Sequence, residues 1–334
     1  MTDELLALPK VELHVHLEGT IRADTAIELA RRHGHEPADV LPLEDGGYPH
    51  RFRDFDHFVE LYLAVSRQVR TPEDLELVAA AFVRQQAEQG VRYSEATFTA
   101  STHVNQGMDP DAMWAALRAG FATEPSTRVG LIVDAVRNLG PRSGHQTVEL
   151  VERADAPIVA LGLAGIEGSA PASDFAMLRD AADRLGLGVV VHAGETGAPS
   201  EVVDALDVLG ANRIGHGIAS AKDPAVLDRV VRDQVVLEVC PSSNVVIGVV
   251  ESLEAHPLPR LLEPGVAVTV NSDDPPFFAT TLTDELRHAR RLAGLGPGEL
   301  ADLQRRAAAA SFLPVPDVQA IVGEVDAWEA AQRA

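Results

Sequence analysis

The chain has 334 residues, 46% of them hydrophobic, with a formal net charge of −22 and an isoelectric point near 4.8. That length suits one large α/β barrel or two medium domains. The acidity argues against a polyanionic partner, because nucleic-acid affinity comes mostly from Lys and Arg neutralising phosphates, and this surface repels them.

Cys240 is the single cysteine, so no intrachain disulfide forms, which fits a reducing cytoplasm. The opening residues MTDELLALPK have neither the basic nor the apolar region of a signal peptide. No run approaches the roughly 20 apolar residues needed to cross a bilayer. The expectation is a cytoplasmic protein acting on neither nucleic acid nor membrane; nothing in the sequence speaks to oligomeric state.

In chain order, β-rich runs occupy residues 11–16, 91–98, 129–136, 158–163, 187–192, 213–217, 235–239 and 266–271. Helical patterns lie between most of them, at 24–34, 71–90, 143–155, 172–186 and 199–210. The stretch 71–90 shows the logic. Thr71 can cap, Pro72 fits the first turn, Glu73 and Asp74 suit the positive end of the dipole, and Gly90 permits a left-handed exit. Eight strands alternating with helices predict a parallel sheet, and eight is the number that closes a (β/α)8 TIM barrel. An open doubly wound sheet is the competing fold, but neither G-x-G-x-x-G after a first strand nor G-x-x-x-x-G-K-[ST] occurs. One domain over 1–334 is expected.

Residues 34–70 form a long insertion after the first strand. An irregular loop, 34–50, leads into RFRDFDHFVELYLAVSRQV, where Phe52, Phe55, Phe58, Leu61 and Tyr62 recur at helical spacing. The plain reading is an amphipathic helix packed on the barrel; the functional one is a lid over its mouth. Residues 281–334 read as two or three closing helices without chemistry of their own.

Four histidines interrupt or end predicted strands. His14 and His16, in VELHVHLEG, lie two places apart and so share one face of the first strand. His192 ends the fifth in VVVHAGET and His216 the sixth in RIGHGI, while Asp273 and Asp274 end the eighth in VTVNSDDP. A single strand-end histidine is ordinarily a hydrogen-bonded core residue. Four of them, with two carboxylates at the catalytic rim of a barrel, imply a cation. Three neutral imidazoles and one carboxylate suit Zn2+. Two-metal barrels of this layout often bridge their ions with a carboxylated lysine, and no lysine lies between Lys10 and Lys222. One zinc per chain follows.

A bound zinc lowers the pKa of water to about 7. His216 and Asp273 are the candidates to orient that water and take its proton. Glu195, three residues past His192, is placed to protonate the group attacked, if burial keeps its carboxyl neutral. Its plain reading is a loop carboxylate capping the next helix.

Taken together, PKVELHVHLEGTIR, GLAG, HAGET, RIGHG, CPSSN and NSDDPP, in this order from about Pro9 to beyond Pro276, resemble the adenosine deaminase family of the amidohydrolase superfamily. The resemblance implies that His14, His16, His192 and Asp273 bind zinc, and that Glu195 protonates N1 of a purine. It implies that His216 stabilises the attacking oxygen, Asp274 hydrogen-bonds N7 and the Gly165 backbone meets N3. The product would be a 6-oxopurine with release of ammonia. Cytidine-deaminase chemistry needs H-x-E with P-C-x-x-C, which one cysteine cannot supply. Glu18 stands where adenosine-specific members carry Asp near the ribose 5′-hydroxyl, and HLEG also occurs in adenine deaminases. GLAGIEG keeps the pattern of nucleoside-acting members, and RFRDFDHFVELY is similar to relatives acting on 5′-modified nucleosides such as aminodeoxyfutalosine. With His16, Glu18, Gly165 and Asp274 as the substrate-binding residues, the expected substrate is adenosine or a 5′-modified adenosine. The alternatives are free adenine and a catalytically silent purine-binding barrel.

Overall fold

Eight parallel strands follow one another in sequence order around a barrel in the computed structural model, which describes residues 3–49 and 51–333. They are β1 (Lys10–His16), β2 (Val91–Phe98), β3 (Arg128–Val136), β4 (Ile158–Ala164), β5 (Gly188–Ala193), β6 (Arg213–His216), β7 (Val236–Val239) and β8 (Ala267–Val270). All seven residues of β1 are buried. Helices cover its outer face and side chains fill the barrel inside, as in other closed parallel sheets.

The seam between β8 and β1 sits at the functional end. Val15 and Asp273 form an isolated parallel bridge. The His16 N–H donates to the Asp273 carbonyl (2.9 Å), and the Asp273 N–H donates to that of His14 (3.1 Å). Below it the Asn271 side chain accepts from the Leu13 N–H (2.9 Å), replacing a ladder bond. The backbone closure that completes the cylinder therefore brings the carboxylate of Asp273 beside two histidines of β1.

The predicted run 213–217 stops one residue early. His216 and Gly217 both adopt left-handed conformations (φ 59° and 66°), which break the strand and turn the imidazole inward. Asp273 is also left-handed (φ 64°). Such backbone is unfavourable for a residue with a Cβ and clusters at functional sites.

Helices Ala100–Asn105 and Pro110–Phe121 occupy the β2–β3 connection. The sequence reading passed over the second, although Asp109 caps it (accepting from Ala112 N at 3.0 Å) and Pro110 opens it. The loop predicted at 34–50 holds a one-turn helix, Pro37–Val40; His50 lies outside the described residues. The C-terminal region forms three helices, Leu282–Ala293, Pro297–Ala310 and Val315–Gln332. Among the described residues no helix is long and apolar enough to cross a membrane.

Helix Phe55–Ser66 lies over the barrel mouth. Asp54 caps it by accepting from His57 N (2.9 Å), so Phe52 falls before the helix. The Phe58 ring packs near Phe52, Phe277 and Phe278, with centroids 5.5, 6.2 and 5.3 Å away. This cluster ties the helix to the loop that follows β8.

Candidate active site

His14, His16, His192 and Asp273 each offer a ligand atom within 4.8 Å of the others, and all four are buried. His16 Nε2 lies 3.2 Å from His192 Nε2. Asp273 Oδ1 is 3.4 Å from His14 Nε2 and 3.3 Å from His16 Nε2. His14 Nδ1 faces Glu238 Oε2 at 2.9 Å. A hydrogen there leaves Nε2 as a lone pair pointing into the cluster, and that buried nitrogen has no hydrogen-bond partner among the described residues.

The electrostatics of the quartet call for a cation at its centre. Burial opposes charge on His14, yet the Asp273 and Glu238 carboxylates hold its imidazole well above the ordinary value. Burial and the imidazoles of His14, His16 and His216 push His192 well down, so its nitrogen stays unprotonated. Burial also disfavours the Asp273 carboxylate, but the facing imidazoles of His14, His16 and His216 hold it well below its ordinary range. Three nitrogens, one of them without a partner among the described residues, and one carboxylate fit a divalent transition ion.

Beside the quartet, Glu195 Oε1 lies 3.5 Å from His216 Nε2, and Asp273 Oδ2 lies 3.9 Å from the same nitrogen. Burial first, then the charges of Asp273 and Glu167, raise the Glu195 carboxyl far above its usual range. That environment favours the protonated carboxyl. Glu167 also shapes its loop, accepting from the backbone N–H groups of Gly194 (2.7 Å), Glu195 (2.8 Å) and Thr196 (3.1 Å).

A chain of hydrogen bonds sets the His216 tautomer. Leu258 N–H donates to His256 Nδ1 (3.1 Å), so the hydrogen of that ring is on Nε2, which donates to Asn244 Oδ1 (3.2 Å). The Asn244 amide nitrogen then donates to His216 Nδ1 (3.3 Å). Burial pushes the His216 imidazole down to about 3, so its one hydrogen is on Nε2 and points at Glu195 and Asp273. His216 is a donor there.

A cavity of about 180 Å3 opens over these groups. His16, His192, Glu195, His216, Asp273 and Asp274 line one side; Thr99, Thr102, Asp134, Asn138 and Gly165 line another; Phe55, Phe58, Val59, Tyr62 and Leu63 form the cover. A larger space, about 490 Å3, lies beside Tyr48, Gln86 and Phe277 and meets none of the quartet. Asp274 reaches the cavity because Gly19 has no side chain, since a Cβ there would overlap the carboxyl. Its Oδ1 is buried and unpartnered among the described residues. Gly165 is left-handed (φ 97°), and a Cβ would press on Asn138 Oδ1 at 2.6 Å.

Glu18 has a different setting from the other predicted site residues. It is 2% exposed and lies behind the cavity wall. It accepts from Thr99 N (3.1 Å), faces His103 Nε2 (3.2 Å) and receives the Tyr62 hydroxyl (3.4 Å). Sequence reasoning passed over Glu238, Asp134, Glu167, Asn244 and His256. Glu238 in VVLEV and Asp134 in LIVDAV carried the signal that exposed His14, a polar residue inside an apolar strand. Asn244 and His256 act on the site through His216 and gave no such sign.

The family whose model matches residues 9–328 is described as Adenosine deaminase. The chain belongs to the adenosine deaminase family. Within reach of that family, it is 38% identical to the aminodeoxyfutalosine deaminase of Streptomyces coelicolor, over 98% of this chain and 86% of that one. It is 39% identical to the adenine deaminase of the same organism, over 93% and 92%. Among solved structures, an adenine deaminase from Arthrobacter aurescens superposes with a TM-score of 0.88 at 32% identity, covering 96% of this chain and 99% of that one.

Proposed function

We propose that this member of the adenosine deaminase family removes the 6-amino group of an adenine nucleoside by hydrolysis, giving a 6-oxopurine and ammonia. One observation carries the reading: a three-histidine, one-carboxylate cluster stands against a buried carboxyl, Glu195, on the wall of a covered cavity. His14, His16, His192 and Asp273 would hold zinc, which when bound activates water as a Lewis acid.

The side chains divide the remaining work. Asp273 Oδ2 accepts the proton of the attacking water, while the Nε2–H of His216 hydrogen-bonds its oxygen. Glu195 donates its proton to N1 of the purine, making C6 electrophilic. Burial and the neighbouring Asp273 also raise the Asp274 carboxyl, so it donates to N7. The Gly165 N–H meets N3. Helix Phe55–Ser66 excludes bulk water as a lid, which strengthens each of these interactions.

A second reading, deamination of free adenine, rests on Glu18. With His103, Thr99 and Tyr62 already on its carboxylate, no acid remains at that position for a ribose 5′-hydroxyl. Loss of absorbance at the adenine band, measured with zinc-loaded protein, separates the readings. Adenosine, 2′-deoxyadenosine and 5′-substituted adenosines are tested beside adenine. Turnover of a nucleoside supports the proposal and turnover of adenine alone supports the second reading. No turnover of any of them refutes both and leaves a purine-binding barrel.

A further inference from the structure

We infer that Asp134 recognises the sugar of the substrate, through a hydrogen bond between its carboxyl and a ring hydroxyl. The inference rests on the nucleoside reading above and adds to it a specificity residue on β3.

The cavity wall is divided by function. The groups that do chemistry come from the ends of β1, β5, β6 and β8. The β2–β3 side contributes Thr99, Thr102, Asp134 and Asn138, and none of these has a part in deamination. Asp134 is 1% exposed and sits on the cavity lining. Its Oδ2 is fully buried and has no hydrogen-bond partner among the described residues. A buried carboxyl left this way carries a desolvation penalty, which a hydroxyl group bound in the cavity would lift.

The opposite strand makes room for it. Gly162 is the register partner of Asp134 on β4, and a Cβ at Gly162 would collide with Asp134 Oδ1. Burial and the nearby charge of Glu18 raise the Asp134 carboxyl well above its ordinary range. A carboxyl in its protonated form offers both a donor and an acceptor, which is what a hydroxyl group matches.

Strand order supplies the direction. With N1 at Glu195 after β5 and N3 at Gly165 after β4, the next strand in the same sense is β3. The atom that follows N3 around the purine edge is N9, through C4, so the substituent on N9 faces the β3 wall. That substituent is the sugar.

The test compares the parent protein with Asp134→Ala and Asp134→Asn, all zinc-loaded. Substrates are adenosine, 2′-deoxyadenosine, 3′-deoxyadenosine and adenine, and direct binding is measured with inosine and hypoxanthine. In Asp134→Ala, KM for adenosine should rise about 10–100-fold, with kcat and zinc content nearly unchanged. Inosine binding should weaken by the same factor while adenine and hypoxanthine are unaffected. The parent's preference for adenosine over one of the deoxynucleosides should vanish. Asp134→Asn, which keeps a donor and an acceptor in the same shape, should restore part of the affinity.

Equal losses with adenosine and adenine, or a fall in kcat and zinc content with KM unchanged, overturn the role of Asp134 alone. A parent that deaminates adenine and binds inosine no better than hypoxanthine overturns the nucleoside reading, and the role of Asp134 with it.

Discussion

Two belts of buried polar groups cross the inside of the barrel, equally hidden from water and built on opposite terms. The deeper belt comprises Glu12, Glu95, Arg213 and Glu238, each no more than 1% exposed. Every carboxylate oxygen in it has a partner. Glu12 accepts from Ser272 N (2.9 Å), Ser272 Oγ (2.6 Å) and Gln86 Nε2 (2.5 Å). Arg213 pairs with Glu238 and Glu95, and donates to the Ala310 carbonyl (2.9 Å) with its guanidinium 4.4 Å above the Phe312 ring. Glu95 accepts from Phe312 N (2.7 Å), and the second oxygen of Glu238 faces His14. The upper belt holds His14 Nε2, Asp134 Oδ2 and Asp274 Oδ1, all buried and all without partners among the described residues. Full satisfaction makes the lower belt a rigid floor. The atoms above it are left unpaired by the described residues, and burial alone would not have separated the two.

Changing a group of the upper belt or its neighbours should therefore impair metal binding, substrate binding or turnover while sparing the fold. The largest effect is expected for His14→Ala: metal analysis should find the stoichiometric ion gone and activity with it, whereas unchanged metal content would refute the quartet. Glu195→Gln should keep the metal and lower kcat by about 10²–10⁴-fold; a variant as active as the parent would remove Glu195 as the acid. Asn244→Asp replaces the amide donor with an acceptor and should move the His216 hydrogen to Nδ1. Nitrogen NMR of the ring reads that shift directly, and kcat should fall by about 10²-fold or more; an unmoved resonance would contradict the hydrogen-bond chain.

Breaking the lower belt should harm both stability and function. Glu238→Gln removes one of the two carboxylates that pair with Arg213 and leaves Glu95 as the other, a loss of about 1–3 kcal/mol in urea unfolding. It also withdraws the support of His14, weakening metal affinity by about 10–100-fold. A variant that unfolds like the parent would show that the belt is not a structural unit.

The smallest effect concerns Glu285, which burial raises to about 7 although Ser242 N (3.1 Å) and Thr280 Oγ1 (2.5 Å) donate to it. Because its folded-state value lies above the unfolded one, the native protein binds the extra proton between about pH 4.5 and 7. Stability from this group is greatest at the acid end of that window and is lost as the pH rises through it. Glu285→Gln should flatten that slope in melting temperatures taken at pH 5 and 7.5, and an unchanged slope would exclude the group.

The strand–helix alternation and the strand-end histidines were legible because local pattern encodes them. Period-2 and apolar runs mark strands, and a polar residue inside such a run has to be explained. The same test, applied evenly, would have flagged Glu95, Asp134 and Glu238. Their purpose would have stayed hidden, because a lone carboxylate in a strand reads alike whether Arg213 pairs with it or nothing does.

By itself the sequence determined the barrel and singled out three histidines, Asp273 and Glu195 that the fold brings together, since strand periodicity and residue chemistry are properties of short stretches. Tertiary structure alone decided that Glu18 is already engaged by His103, that Asn244 and His256 set the hydrogen on His216, and that Asp134 has room opposite Gly162 and no partner. Those facts depend on distances between residues from 12 to 85 positions apart, and only the closed barrel determines them.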